Sequence, residues 1–140
     1  MTRIIITLLI SILSLLSNAQ ETKTELPTIK EGVTINVTVP KITSSKGKVY
    51  FALYNSEENF EEKIKFQEAT GVIIDNKTEI TFKNVPEGVY AITCYHDSND
   101  NKKMDFYGFI PAEDYGVSNN PQSFGPPRFK TSKFEVENTD

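Results

Sequence analysis

The sequence predicts an all-β domain, a Greek-key β-sandwich of about seven strands with one long ordered loop. Three observations carry this expectation. Apolar and polar residues alternate strictly in several short runs, those runs recur about every 8 to 12 residues between Gly, Pro, Asn and Ser turns, and helical periodicity is scarce. The 140 residues, 38% hydrophobic and 24% charged, suit one compact globular domain, expected over residues 32–137.

The chain opens with Arg3, an apolar run from Ile4 to Leu16, then Ser17, Asn18 and Ala19. This pattern reads as a secretory signal peptide over residues 1–19, cut after Ala19. The run is shorter than the roughly 20 residues that a bilayer core demands, so no membrane insertion is expected after cleavage. The product is expected to be secreted or periplasmic. Cleavage would leave 14 basic residues against 19 acidic ones, and that negative balance disfavours nucleic acid as a partner. Cys94 is the sole cysteine, so no disulfide framework can form within the chain, and the leader junction offers no thiol for a lipid.

Residues 20–31 are polar and aperiodic, which predicts a flexible mature N-terminus. From residue 33 the alternation is strict: Val33, Ile35, Val37 and Val39 face one way, Thr34, Asn36 and Thr38 the other, and Pro40 ends the strand. Ser44 to Gly47 form a turn, after which Val49, Phe51 and Leu53 alternate with Tyr50, Ala52 and Tyr54, so the two runs read as a hairpin. Residues 55–68 carry early acids with Phe60, Ile64 and Phe66 at rough helical spacing, which fits either a short helix or a loop. Gly71 to Asp75 and Thr78 to Phe82 read as a second hairpin closed through Asn76 and Lys77.

Pro86 and Gly88 lead into the next strand. It places Val89, Ala91, Thr93 and Tyr95 on one face and Tyr90, Ile92, Cys94 and His96 on the other. Tyr90 follows a Pro-x-Gly corner, so it is either a tyrosine corner, its hydroxyl bonded back to nearby backbone, or a plain core tyrosine. Cys94 and His96 share a face, but adjacent side chains along one strand face stand ~7 Å apart, too far for a thiol and its base. Arg128 to Val136, with Phe129, Phe134 and Val136, supplies a closing strand.

Asp97, Asn99, Asn101 and Asp105 put side-chain oxygens at loop positions 1, 3, 5 and 9, and Lys103 can offer its carbonyl at position 7. Ca²⁺ is a hard cation that gathers six to eight oxygens, and alternate residues of a tightly turning loop point toward one centre. The loop is therefore either a structural Ca²⁺ site or an Asx-rich turn that caps its own backbone. Lys102 stands at position 6, where helix-loop-helix sites have glycine, and Gly108 stands at position 12 in place of glutamate. Glu113 or Asp114 can supply the missing ligand from the following loop. Beyond it, residues 106–129 are dense in Phe, Tyr, Pro and Gly without a period, which predicts a long ordered loop. That loop either lids the core or binds a sugar or other small ligand through Tyr107, Glu113, Tyr115, Ser118 and Asn119. A non-catalytic module with an unknown protein or glycan partner is the leading expectation. The catalytic alternative is a carboxylate-dependent hydrolase or isomerase using Glu113 or Asp97 with His96.

The blocks GKVYFALYN (47–55), VPEGVYAITCYHDSNDNKKMD (85–105), YGFIPAEDYGVSNN (107–120) and FGPPRF (124–129) together resemble the bacterial domain of unknown function family 2141, DUF2141. The resemblance spans residues 32–137. It implies an exported β-sandwich in the style of immunoglobulin-like or transthyretin-like (prealbumin-like) modules, without established activity. By position its motif residues are Asp97, Asn99, Asn101 and Asp105, followed by Gly108, Pro111, Glu113, Tyr115, Gly116, Ser118 and Asn119. Asp100 and Lys102 depart from it, standing where small residues follow the loop asparagines.

Overall fold

The computed structural model describes residues 32–122 and 125–138, so the expected leader and the 20–31 segment lie outside the described residues. Among the described residues nine strands and two short helices form in chain order: β1 (Val33–Val39), β2 (Lys48–Tyr54), α1 (Glu57–Glu61), β3 (Gln67–Gly71), β4 (Thr78–Val85), β5 (Gly88–Asp97), β6 (Phe106–Tyr107), β7 (Ile110–Pro111), β8 (Tyr115–Val117), α2 (Phe129–Ser132) and β9 (Phe134–Val136). All pairings are antiparallel: β1 with β4, β3-β2-β5-β8 in the larger sheet with β9 against the start of β5, and β6 with β7 as a separate hairpin. The fold is mostly β, as the alternation predicts.

The core lies where the two larger sheets meet. Phe51, Leu53 and Val49 from β2, Ile80, Phe82 and Val85 from β4, and Tyr90 and Ile92 from β5 form one buried cluster, against which the β1 row Val33, Ile35, Val37 and Val39 packs half-buried. Each is the apolar set of an alternating strand, turned inward by the two-residue side-chain period. β4 breaks its own alternation at Asn84, whose φ of 54° makes a bulge. The register with β1 steps from Ile35↔Phe82 to Val33↔Val85, so one extra β4 residue is absorbed and Val85 returns to the core with no exposure. Gly32 permits this, since a Cβ there would meet the Asn84 carbonyl carbon at 2.3 Å.

The outer face of the β2–β5 pair is covered at one end by the helices. Ser56 caps α1 by accepting from Asn59 N–H at 3.1 Å, and Phe60 reaches edge-on to Tyr54 and to Phe129 of α2. Tyr90 is a tyrosine corner: its hydroxyl donates to the Pro86 carbonyl at 2.9 Å.

Three local expectations are corrected. β1 and β2 do not form a hairpin, because β1 pairs with β4 and β2 with β3 and β5, which places the Pro40–Gly47 stretch as a crossover between sheets. The second hairpin also dissolves. Its tight turn is real but centred on Asp75 and Asn76, with φ of 50° and 61°, closed by an Ile74↔Lys77 bridge, and it carries the chain from β3 in one sheet to β4 in the other. The closing strand is only β9; Phe129 belongs to α2, which turns the chain before it. The long loop likewise contains the short strands β6, β7 and β8.

Candidate functional site

β5 delivers His96 and Asp97 to the end of the larger sheet on opposite faces, followed by the 98–105 loop. Asp97 is fully buried and spends both oxygens on backbone, Oδ1 accepting from Asn101 N–H at 3.1 Å and Oδ2 from Lys102 N–H at 2.7 Å. Asn99 Oδ1 accepts from Asn101 N–H at 3.1 Å, and Asn101 Oδ1 from Lys103 N–H at 2.9 Å. These are successive Asx turns. The amides of Asn99 and Asn101 both donate to Asp105 Oδ2, at 2.7 and 2.8 Å, so the side chains at positions 3, 5 and 9 meet at one oxygen. Lys103 enters through its N–H. Asp100 and Lys102 hold φ of 58° and 62°, the left-handed region that favours small residues.

Glu113 closes the loop from outside. Its Oε1 accepts from Ser98 N–H at 3.2 Å and its Oε2 from Asp105 N–H at 3.3 Å, clamping both ends of the turn. Asp114 is used differently, giving its backbone carbonyl to His96 N–H at 2.9 Å. The His96 ring lies at the core side, Nε2 at 2.7 Å from the Lys46 carbonyl. Gly47 beside it has φ of 73° and passes so close to the Asp97 carbonyl that any Cβ would collide with it. His96, Asp97 and Glu113, the trio of the catalytic alternative, are thus each bonded to a different stretch of backbone. Among the described residues no group of three or more His, Cys, Asp or Glu is placed to hold a metal, so a cation here would rely on the asparagine and backbone oxygens.

The aromatic residues divide into two sets. The β6–β7 hairpin projects Phe106, Tyr107, Phe109 and Ile110, with Tyr107 79% and Phe109 fully exposed. Tyr115 instead sits in register with Tyr95, which faces and stacks on Tyr50 at 5.4 Å between ring centroids. Burial first, then the nearby charge of Asp97, raises the Tyr95 phenol above its ordinary range, with Tyr50 and Glu113 adding to it. Tyr50 and Tyr95 were not legible as site neighbours of Tyr115, because strand register is not written in either strand alone. Ser118, half-buried, and Asn119, exposed, bond back to the backbone. The Ser118 hydroxyl accepts from Ile92 N–H at 2.9 Å and donates to the Ser132 carbonyl, and Asn119 Nδ2 donates to the Lys133 carbonyl at 2.7 Å. They fasten β8 to β5 and to the start of β9.

Cys94 lies beneath Gly116, and burial pushes its thiol up to about 11. Its ordinary value is 9.0, so the unfolded chain loses this proton first and stability contributed here falls as pH rises from 9 toward 11. Folded protein at pH 8 is expected to react with an aromatic disulfide reagent far more slowly than protein in denaturant. Equal rates would refute the burial argument.

An antiparallel β domain with a clamped Asx-turn loop and an exposed aromatic hairpin is the class that these elements define. The chain belongs to the DUF2141 family, described as an uncharacterized protein conserved in bacteria, whose model matches residues 37–140. No curated protein and no solved structure matches it.

Proposed function

We propose that this chain is an exported, non-catalytic β-sandwich module, immunoglobulin-like or transthyretin-like in its two facing sheets. Its 97–105 loop takes a structural Ca²⁺ and so orders the aromatic segment that follows as a binding surface. The observation that carries this reading is the convergence of Asn99, Asn101 and Asp105 on one oxygen, above a turn in which Asp97, Asn99 and Asn101 are already fixed by backbone N–H groups. Each amide oxygen there uses one lone pair on the backbone and keeps a second for a cation. Those remaining lone pairs, beside the Asp105 carboxylate, are hard oxygen donors of the kind Ca²⁺ takes, and the cation would offset the carboxylate's charge. Glu113, clamped across the loop, ties any ordering of it directly to Tyr115 two residues on.

The test is thermal unfolding of the mature chain in EDTA and then in Ca²⁺ at about 5 mM, above the millimolar dissociation constants of extracellular sites. At about 5 to 50 times such a Kd, binding is worth about 1–2.3 kcal/mol, so a rise in Tm of several degrees is expected. Asp105→Asn should abolish the rise while leaving the EDTA midpoint close to wild type. Terbium luminescence sensitised by the neighbouring tyrosines supplies an independent readout. No shift and no luminescence would reduce the loop to a self-capped turn.

A partner at the surface so ordered is a protein or a glycan. The glycan alternative is favoured by Tyr115 standing in register with the Tyr95–Tyr50 stack, which offers aromatic faces to a sugar ring.

A further inference from the structure

Among the described residues β1 keeps one edge of its backbone unpaired along its whole length. β1 pairs with β4 alone there, and the sheet they form has only two strands, while the facing sheet has five. Its apolar row, Val33, Ile35, Val37 and Val39, packs on the core yet stays half-buried. Natural edge strands are commonly blunted by lysine, proline or short length, whereas VTINVTV runs seven residues with no charge and no proline.

The order of those residues indicates what fits the edge. VTINVTV is nearly a palindrome about Asn36: Val33 mirrors Val39, Thr34 mirrors Thr38, and Ile35 mirrors Val37. In an antiparallel pairing of two copies about a two-fold axis at Asn36, every residue therefore meets its like. Valine and isoleucine face their counterparts on the core side, threonine meets threonine on the outer side, and Asn36 meets Asn36. Asn36 Oδ1 already accepts from Thr81 Oγ1 at 2.9 Å, which holds the amide on the outer face with its N–H₂ group turned to no described acceptor. Pro40, which cannot donate to a ladder, falls just outside the paired stretch, opposite Gly32 of the other copy.

We infer that β1 is a self-association edge, on which a second copy of this chain pairs antiparallel about Asn36 to join two two-stranded sheets into one of four. The inference is independent of the Ca²⁺ reading, since β1 contributes nothing to the 97–105 loop.

Sedimentation equilibrium of the exported chain, from about 1 μM to about 1 mM, tests it. A monomer–dimer equilibrium is expected. Asn36→Lys places two like charges face to face on the axis and should raise the dimer Kd about tenfold or more. The double variant Thr34→Lys with Thr38→Glu sets each lysine opposite the other copy's glutamate and should retain dimerisation. Circular dichroism and the unfolding midpoint identify any variant whose monomer is damaged, and the double variant then decides alone. A wild-type chain that is monomeric throughout overturns the inference. So does a dimer indifferent to Asn36→Lys in a folded variant, or one lost in the folded double variant.

Discussion

Replacing Phe82 with alanine is expected to destabilise the domain by about 3–5 kcal/mol, the range for emptying a buried phenylalanine site. Phe82 is 2% exposed, and it reaches from the smaller sheet into the cluster formed by Phe51, Leu53 and Ile92 of the larger one. The two strands of the smaller sheet cannot close over the space it leaves, because the bulge at Asn84 fixes β4 in register against β1 immediately after it. Domains of this size hold only about 5–15 kcal/mol in total, so the variant should sit near the limit of folding. Urea unfolding checks this: the midpoint should fall sharply with little change in slope. A loss under about 1 kcal/mol would mean that the sheets are not packed through this ring.

Asp97→Ala has the second large effect, for a different reason. The carboxylate is fully buried and is the acceptor for two backbone N–H groups, so its removal strands both donors at the neck of the loop. Losing bonds to a charged acceptor and leaving donors unpaired costs about 2–4 kcal/mol in all. Asp97→Asn keeps one acceptor oxygen and should lose about half as much. Amide hydrogen exchange separates this from general damage, because Asn101 and Lys102 should lose protection before the β2–β5 ladder does. Unchanged exchange at those two amides would remove Asp97 from its capping role.

Much of this was legible in the sequence, and the reasons differ from element to element. The strict alternation in β1 and β2 gave both strands and their core faces, since a period of two admits no other reading over seven residues. The Pro86 and Gly88 corner left Tyr90 as either a tyrosine corner or a plain core tyrosine, and its bond to the Pro86 carbonyl decides for the corner. Pairing was not legible. β1 lies nearest β2 in sequence, yet it pairs with β4, and nothing in Val33–Val39 names its partner because the same apolar face fits any inward-facing strand. The tight turn at Asp75 and Asn76 suggested a hairpin for a sound local reason, but its strands are taken by other neighbours.

The same division holds at the site. The Asp97, Asn99, Asn101 and Asp105 spacing marked the loop, and Glu113 or Asp114 was expected to contribute from outside; Glu113 joins through the Ser98 and Asp105 amides, whereas Asp114 gives its backbone carbonyl to His96 N–H. Ser118 and Asn119 look like ligand-facing polar residues in sequence, but they answer the needs of carbonyls and amides around β9. Polar side chains at strand ends serve backbone as readily as ligands, and only the fold tells the two apart.

The position of β5 has a kinetic consequence. It is the longest strand among the described residues, and its ladder neighbours come from well apart in sequence: β2 well before it, β8 after it, and β9 last. No early fragment can therefore complete the larger sheet. A chain emerging N-terminus first holds Val85 and Tyr90 without Val136 beside them until its last residues arrive, so folding waits for the whole domain and is slow for its size. If the chain is exported as proposed above, such a strand order would delay collapse until its passage across the membrane is finished.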